Sequence, residues 1–298
     1  MLCLVVVAWG GAFTAIRILV RDASAFTVSF LRFALTVVGL LVVWAIVKPE
    51  RRPIERADRG KILVLALTGI AIYHVSLNFG EHFVSADVAS LIVASMPVMV
   101  ALLSRGFLKE RISARKGSGI LLALAGVFVL IAKGTPGANL RVDNAGGAAI
   151  VLLAPLAWAT YTIVSKPLVA KYGSLPLLTA ATILGTLLLA PFGVPATLHD
   201  LGRLTLVDWG WLCFLAFACS TFAYAIWFAA LRVLSPSETA VWVYLVPLAA
   251  LVWAAIVLGE RLTAFVLGGV MVLAGVILTE RVGTRTVARP TEAERAPT

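Results

Sequence analysis

The stretch LIVASMPVMVALL, residues 91–103, is continuously apolar and contains no charged side chain. A transmembrane β-strand would instead alternate apolar and polar residues over about ten positions. The rest of the chain has the same character: 61% of the 298 residues are hydrophobic, 13% are charged, and the mean hydropathy is +1.00. Soluble domains carry about 25% charged residues. The sequence therefore predicts an all-α integral membrane protein.

Apolar runs separated by turns or charged segments predict ten transmembrane helices, because one spanning helix needs about 20 apolar residues. The expected spans are 2–20, 26–47, 60–80, 84–105, 115–133, 146–166, 174–194, 207–230, 236–258 and 263–281. Residues 1–16 lack the charged segment that opens a secretory signal, so we expect a spanning helix there. Residues 285–298, rich in Arg, Thr, Glu and Pro, are expected to be a disordered cytoplasmic tail.

The formal net charge of +10 does not indicate a nucleic-acid partner, because the basic residues occupy short loops between apolar runs. With the N-terminus inside, inner loops and the tail hold 18 Lys and Arg, whereas outer loops hold 6. Positive charge accumulates on the cytoplasmic side of membrane proteins. We therefore expect a multi-pass protein of the cell (inner) membrane with both termini in the cytoplasm.

Two halves of the chain share sequence at an offset of about 150 residues, which predicts five-helix repeats over 1–135 and 146–281. The matched pairs are Trp9 with Trp158, Tyr73 with Tyr224, Pro97 with Pro247, Glu110 with Glu260, and Ser113 with Thr263. Each half has an odd number of expected helices, so the second should be inverted relative to the first. Inverted repeats are a recurring transporter design, with the substrate site near the midplane between the halves.

The segments LNFGEHFVSADVASLIVASMPVMVALLSRGFLKERIS, residues 77–113, and YAIWFAALRVLSPSETAVWVYLVPLAALVWAAIVLGERLT, residues 224–263, resemble the repeat of the EamA-type drug/metabolite transporters. Both contain a small-residue patch, a proline within a helix and a glutamate that opens the next loop. Lys109 departs from the pattern, which has glycine before the glutamate; Gly259 keeps it. The resemblance implies a secondary transporter without a cofactor, in a superfamily that includes exporters of amino acids and other metabolites.

The paired prolines and glutamates have two readings each. Pro97 and Pro247 remove a backbone hydrogen bond within a helix, so they predict kinks that either improve packing or act as hinges beside the cavity. Glu110 and Glu260, with Ser113 and Thr263, are expected to be structural caps of the following helices. Proton coupling through these glutamates is the alternative.

The substrate cavity is expected to be lined by polar and aromatic residues of the central helices. The candidates are Trp9, Tyr73, His74, Asn78, Ser90, Ser95, Trp158, Tyr161, Tyr224, Trp227, Trp242 and Tyr244. Aromatic residues in membrane proteins also form belts at the two membrane interfaces. For up to half of these candidates, a position in such a belt is the alternative to the cavity. Trp9 and Trp158 are favoured for the cavity because they occupy matching repeat positions beside small residues. Such walls suit a small, partly apolar solute such as an amino acid.

Arg32 is the one basic residue well inside an expected helix. It either neutralises an anionic substrate group or extends towards an interface. The small multidrug resistance branch of the resembling superfamily uses a glutamate in its first helix, but LVVVAWGGAFTAI, residues 4–16, contains no carboxylate. We therefore do not expect carboxylate-driven exchange of cationic drugs.

The sequence favours an exporter or exchanger of small, amino-acid-like metabolites that works by alternating access. A multidrug or nucleotide-sugar carrier is the alternative within transport. A membrane-embedded enzyme acting on lipid-linked substrates is the alternative of another class, but the three histidines form no acid–base or metal set. The expected partners are the solute and the lipid bilayer, with the protein as monomer or homodimer.

Overall fold

A computed structural model describes residues 1–50, 52–80, 83–84, 86–134, 141–142, 144–258 and 265–280, and contains no β-strand within those ranges. The first half comprises α1 (Leu2–Leu19), α2 (Ala25–Val47), α3 (Arg59–Ala66), α4 (Tyr73–Gly80), α5 (Ala86–Val93), α6 (Met96–Phe107) and α7 (Ala114–Gly134). The second half comprises α8 (Ala145–Tyr172), α9 (Ser174–Asp200), α10 (Leu206–Cys213), α11 (Ala223–Val233), α12 (Pro236–Ala240), α13 (Val246–Leu258) and α14 (Phe265–Glu280).

The expected all-helical membrane class is confirmed. Among the described residues, nine helical stretches are long and apolar enough to cross a membrane. The apolar part of α14, Leu267–Thr279, is shorter than they are, so the count of ten stays a prediction. The expected tail, 285–298, lies outside the described residues, as do Glu260 and Thr263.

The third span of each expected repeat is interrupted by π-helix at a matching position. The π-helical segments Leu67–Ile72 and Phe214–Phe222 lie directly before α4 and α11. In the third span of the first repeat Thr68 Oγ1 donates to Val64 O at 2.6 Å. In the third span of the second repeat Thr221 Oγ1 donates to Ala216 O at 2.9 Å. Such side-chain bonds compete with the regular backbone ladder. The π-helical segments lie inside the helical spans expected over 60–80 and 207–230, and π-helix is frequent at functional sites.

Both repeat prolines lie at the start of a helical segment, directly after a local break in the span. Pro97 is the second residue of α6, after a turn at 94–95, and Pro247 is the second residue of α13, after the 3₁₀ segment Val241–Leu245. Proline is tolerated there because the first N–H groups of a helix have no intrahelical partner. Each proline lies at a local break inside one helical span, Val88–Phe107 or Pro236–Val257, and its role as a hinge stays a prediction.

The last helices of the two halves, α7 and α14, pack closely and run antiparallel. Gly119 near the start of α7 faces Gly275 near the end of α14, and Gly126 faces Gly268. A Cβ added at Gly126 would lie 2.7 Å from Val272 N and 2.9 Å from Gly268 O. The backbones therefore approach so closely that only glycine fits at these crossings.

The second helices of the two halves, α2 and α9, also run antiparallel against each other. The Ser24 N–H and the Thr27 hydroxyl, at the start of α2, each donate to Asp200 Oδ2 at 2.7 Å. Asp200 is the last residue of α9. The outward faces of both helices present large apolar side chains such as Ile46 and Phe192, a surface suited to lipid tails.

Candidate functional site

Aromatic rings from both halves meet between α1, α8 and α11. The Trp9 ring centroid lies 5.4 Å from that of Trp158, 5.2 Å from that of Trp227 and 5.9 Å from that of Tyr224. Trp158 in turn lies 5.4 Å from Tyr224 and 5.9 Å from Trp227. These are edge-on or tilted contacts, which aromatic rings prefer to face-to-face stacking. The two tryptophans matched by the sequence repeat are therefore in direct contact.

The rings continue towards α2 and α4. Tyr73 lies 5.3 Å from Trp158 and 4.9 Å from His74, whose ring lies 4.9 Å from Phe33. On the other side, Tyr161 lies 5.3 Å from Trp158. We define the ring cluster as Trp9, Tyr73, His74, Trp158, Tyr161, Tyr224 and Trp227. Seven of the twelve residues expected to line a cavity are thus brought together.

Most of the ring cluster is deeply buried. Trp158, Tyr161, Tyr224 and Trp227 are each at most 3% exposed. They pack between helices, so the alternative placement in an interfacial aromatic belt does not hold for these four residues. These four rings belong to an apolar core to which both halves contribute.

Several polar atoms of the ring cluster are buried without a hydrogen-bond partner in the part of the chain that the structure describes. They are His74 Nε2, Trp158 Nε1, Tyr161 OH and Trp227 Nε1. Trp9 differs, because its Nε1 donates to Cys219 O in the second π segment at 2.9 Å. A buried polar group without a partner costs about 1–3 kcal/mol. Four such groups in one cluster mark a place that can recognise polar atoms of a bound solute.

The other cavity candidates lie apart from these rings or at their edge. Tyr244 belongs to a separate apolar core, whereas Trp242 and Trp227 border a small apolar crevice of about 160 Å³. Ser90 is exposed, and Ser95 Oγ donates to the carbonyl of Ile92 at 2.6 Å. The side chain of Asn78 lies outside the described residues.

Glu110 does more than stabilise a helix start, because its carboxylate joins the two halves. Lys116 Nζ donates to Glu110 Oε1 at 2.8 Å, and the hydroxyls of Ser104 and Ser237 donate to the same carboxylate. Lys116 also lies 3.4 Å from Glu238 Oε1. Ser237 and Glu238 are part of α12, in the second half. We call these five residues the Glu110 network.

The Glu110 carboxylate is held in its ionised form. Burial acts to raise its pKa, but hydrogen bonds from Lys116, Ser104 and Ser237 outweigh burial and lower the pKa below the ordinary value of 4.5. Ser113 occupies the expected capping position, where its Oγ accepts a hydrogen bond from the Lys116 N–H at 3.2 Å.

In the sequence Lys116 counts only as a loop charge, and neither Ser237 nor Glu238 stands out. Lys116 is 4% exposed. The signal available in the sequence was the six-residue separation of Glu110 and Lys116 across a short loop, which places opposite charges near one helix start. Nothing in the sequence showed that α12 would lie against them.

The chain belongs to the EamA-like transporter family, which it matches over residues 1–132 and 145–281. It is 34% identical to an uncharacterized transporter of Archaeoglobus fulgidus, over 94% of this chain and 97% of that protein. It is 33% identical to a probable terminal-alkyne amino-acid exporter of Streptantibioticus cattleyicolor, over 98% and 95% of the two chains. A solved crystal structure shares the fold with a TM-score of 0.79 at 15% identity, over 96% of this chain and 97% of the other. The resemblance to this family is thereby confirmed, and the protein is a membrane transporter and not an enzyme.

Proposed function

We propose that this transporter exports or exchanges small, amino-acid-like solutes by alternating access, and that the solute binds at the ring cluster. The observation that carries the proposal is the set of buried polar atoms at His74, Trp158, Tyr161 and Trp227 that have no partner among the described residues. Rings surround an apolar side chain, while the indole, phenol and imidazole groups hydrogen-bond to the polar atoms of the solute. The relative named as an amino-acid exporter supports this class of solute.

Alternating access rests on two inverted five-helix repeats, 1–135 and 146–281. An axis in the membrane plane requires equivalent helices to run antiparallel where they meet, as α2 does with α9 and α7 with α14. The same axis exchanges equivalent contacts. Tyr73 touches Trp158, and the matching residue Tyr224 touches Trp9. These contacts support an arrangement in which the halves exchange roles between inward-open and outward-open states.

The proposed topology has ten spans, with both termini on the cytoplasmic side of the inner membrane. Its support is the excess of Lys and Arg in one set of loops. In this orientation the Glu110 network lies on the cytoplasmic side, where it holds the halves together. The broken spans at Pro97 and Pro247 provide places where the helices bend as the halves move.

The test is solute uptake by liposomes that contain the purified protein. Labelled amino acids, cationic drugs and nucleotide sugars are offered separately, and empty liposomes provide the background. We expect saturable uptake of apolar amino acids, faster when the liposomes are preloaded with unlabelled solute. Uptake of drugs or nucleotide sugars alone would contradict the amino-acid assignment and favour the corresponding alternative.

A further inference from the structure

Arg32 is a buried cation within the membrane-spanning helix α2. It is 6% exposed, and its Nε donates to Ser220 Oγ at 2.8 Å. Ser220 is itself fully buried, in the second π segment. The side chain therefore points into the protein and does not extend to an interface, which decides between the two alternatives that the sequence left open for its position.

The charge of Arg32 has no carboxylate partner among the described residues, whose ion pairs all involve other side chains. The guanidinium also makes a cation–π contact with the ring of Phe33, whose centroid lies 5.4 Å from the guanidinium carbon. Taking an unpaired charge out of water is strongly unfavourable. Inside a membrane, such residues mark substrate or ion sites.

Arg32 lies at the edge of the ring cluster. Phe33, which its guanidinium contacts, is 4.9 Å from His74. A solute whose apolar part contacts the rings can therefore place an anionic group against the guanidinium without leaving the site.

From this geometry we infer that Arg32 binds the carboxylate of the transported solute, so the site selects zwitterionic or anionic carboxylates over cations. The inference rests on the proposed function and names its substrate class. Ser220 holds the Nε edge of the guanidinium, which leaves the two terminal nitrogens for a forked pair of hydrogen bonds to a carboxylate. The indole and phenol groups of the ring cluster contact the rest of the solute.

Binding is measured on the purified protein with three probes that share one side chain: phenylalanine, phenylalaninamide and phenylalaninol. The latter two lack the carboxylate. We expect wild-type protein to prefer phenylalanine by about tenfold or more, since a hydrogen-bonded charge contributes about 1.5–3 kcal/mol. This comparison needs no variant. Equal affinity for the acid and the amide would overturn the inference while leaving amino-acid-like transport intact.

The variant Arg32→Gln should remove that preference, and Arg32→Lys should keep part of it because the charge remains without the planar fork. Arg21→Gln is the matched control, because this substitution removes the same charge at an exposed position in the loop before α2. A preference for the acid that survives Arg32→Gln in monodisperse protein would contradict the assignment to Arg32. If wild-type protein takes up cationic drugs and none of the three probes, the proposed function fails as well.

Discussion

Two tyrosines on α8 have hydroxyl groups in opposite surroundings. Tyr172 OH donates to Asp58 Oδ2 at 2.8 Å and accepts from the Glu55 N–H at 3.2 Å. Tyr161 OH is buried in the ring cluster without a partner among the described residues. Only the first hydroxyl lowers the energy of the solute-free protein. The second is available to a solute.

Removing the two hydroxyls should therefore have different effects on stability. Tyr172→Phe is expected to lower the free energy of unfolding by about 1 kcal/mol, because it deletes satisfied hydrogen bonds. Tyr161→Phe should leave stability unchanged or raise it, while it weakens solute binding. Thermal unfolding in detergent, with and without solute, measures both effects. Equal losses of stability in both variants would show that Tyr161 OH has a structural partner.

The tryptophans of the ring cluster should contribute to solute affinity through the apolar surface that they bury against the solute. A buried aromatic side chain contributes about 1.5–3 kcal/mol, which corresponds to roughly ten- to a hundredfold in affinity. Trp9→Ala and Trp158→Ala should weaken solute binding by that factor in protein that still inserts and stays monodisperse. Trp209→Ala, at a half-buried tryptophan of α10 outside the cluster, is the control. Unchanged affinity in both cluster variants, with reduced thermal stability, would assign these rings to the scaffold.

At the scale of the element, single glycines decide how two helices pack. Gly126 meets the backbone of α14, whereas a Cβ added at Gly117 on the same helix would meet no atom of the described residues within 4 Å. The two positions share a helix and a residue type, so they separate interhelical contact from intrinsic helix propensity.

Alanine at the two glycines should act in opposite directions. Gly117→Ala should stabilise the protein by about 1 kcal/mol through helix propensity. Gly126→Ala should force α7 and α14 apart, with a loss of about 1–3 kcal/mol or more from overpacking. Melting temperatures of the two purified variants provide the comparison. A tolerated alanine at Gly126 would mean that the helices separate without cost.

The Glu110 network predicts a defined pH dependence. Glu110 has a lower pKa in the folded protein than its ordinary 4.5, so it stabilises the fold above that pH and loses this contribution as pH falls through the lower folded-state value. Glu110→Gln should lower stability by about 3 kcal/mol at neutral pH, because it leaves the buried Lys116 charge without its nearest partner. Transport per folded molecule should be largely kept. A selective loss of proton-driven transport would assign Glu110 to coupling.

The double variant Glu110→Gln/Lys116→Met tests whether the two side chains stabilise the protein through their contact. If it loses less unfolding free energy than the two single variants added together, the energy lies in that contact. Measurement at pH 7 and again near pH 4 should show the difference between wild type and Glu110→Gln shrinking on acidification. A constant difference across that range would contradict the lowered pKa of Glu110 in the folded protein.

Composition and the internal repeat predicted the positions of the helices and which residues of the two halves correspond. Length and hydropathy located the spans, and the repeat offset matched Trp9 with Trp158. The breaks before Pro97 and Pro247 and the π segments were not predictable as such, since almost every position there is apolar and periodicity is lost. The Glu110 network was missed for a different reason, because it depends on which distant loop α12 lies against.

At the scale of the whole molecule, the expected topology can be read by reporter fusions placed in each loop and after residue 281. Both ends should report the cytoplasm, and the loops after α1 and α9 should report the opposite side. The physical cause is the charge bias of the loops. A tail fusion that reports the periplasm while a fusion at the N-terminus reports the cytoplasm would contradict the ten-span topology, whereas reversed signals at every site would contradict only its orientation.

The paired contacts of Tyr73 with Trp158 and of Tyr224 with Trp9 bear on the direction of transport. If the two halves exchange roles, a solute between these rings meets nearly the same wall whichever side of the membrane is open. A ligand shifts a conformational equilibrium only through a difference in its affinity for the two states. Such a site supplies no net direction by itself. Flux through it follows the concentration gradient of the solute, and a cell that accumulates the solute loses it outward through the same protein.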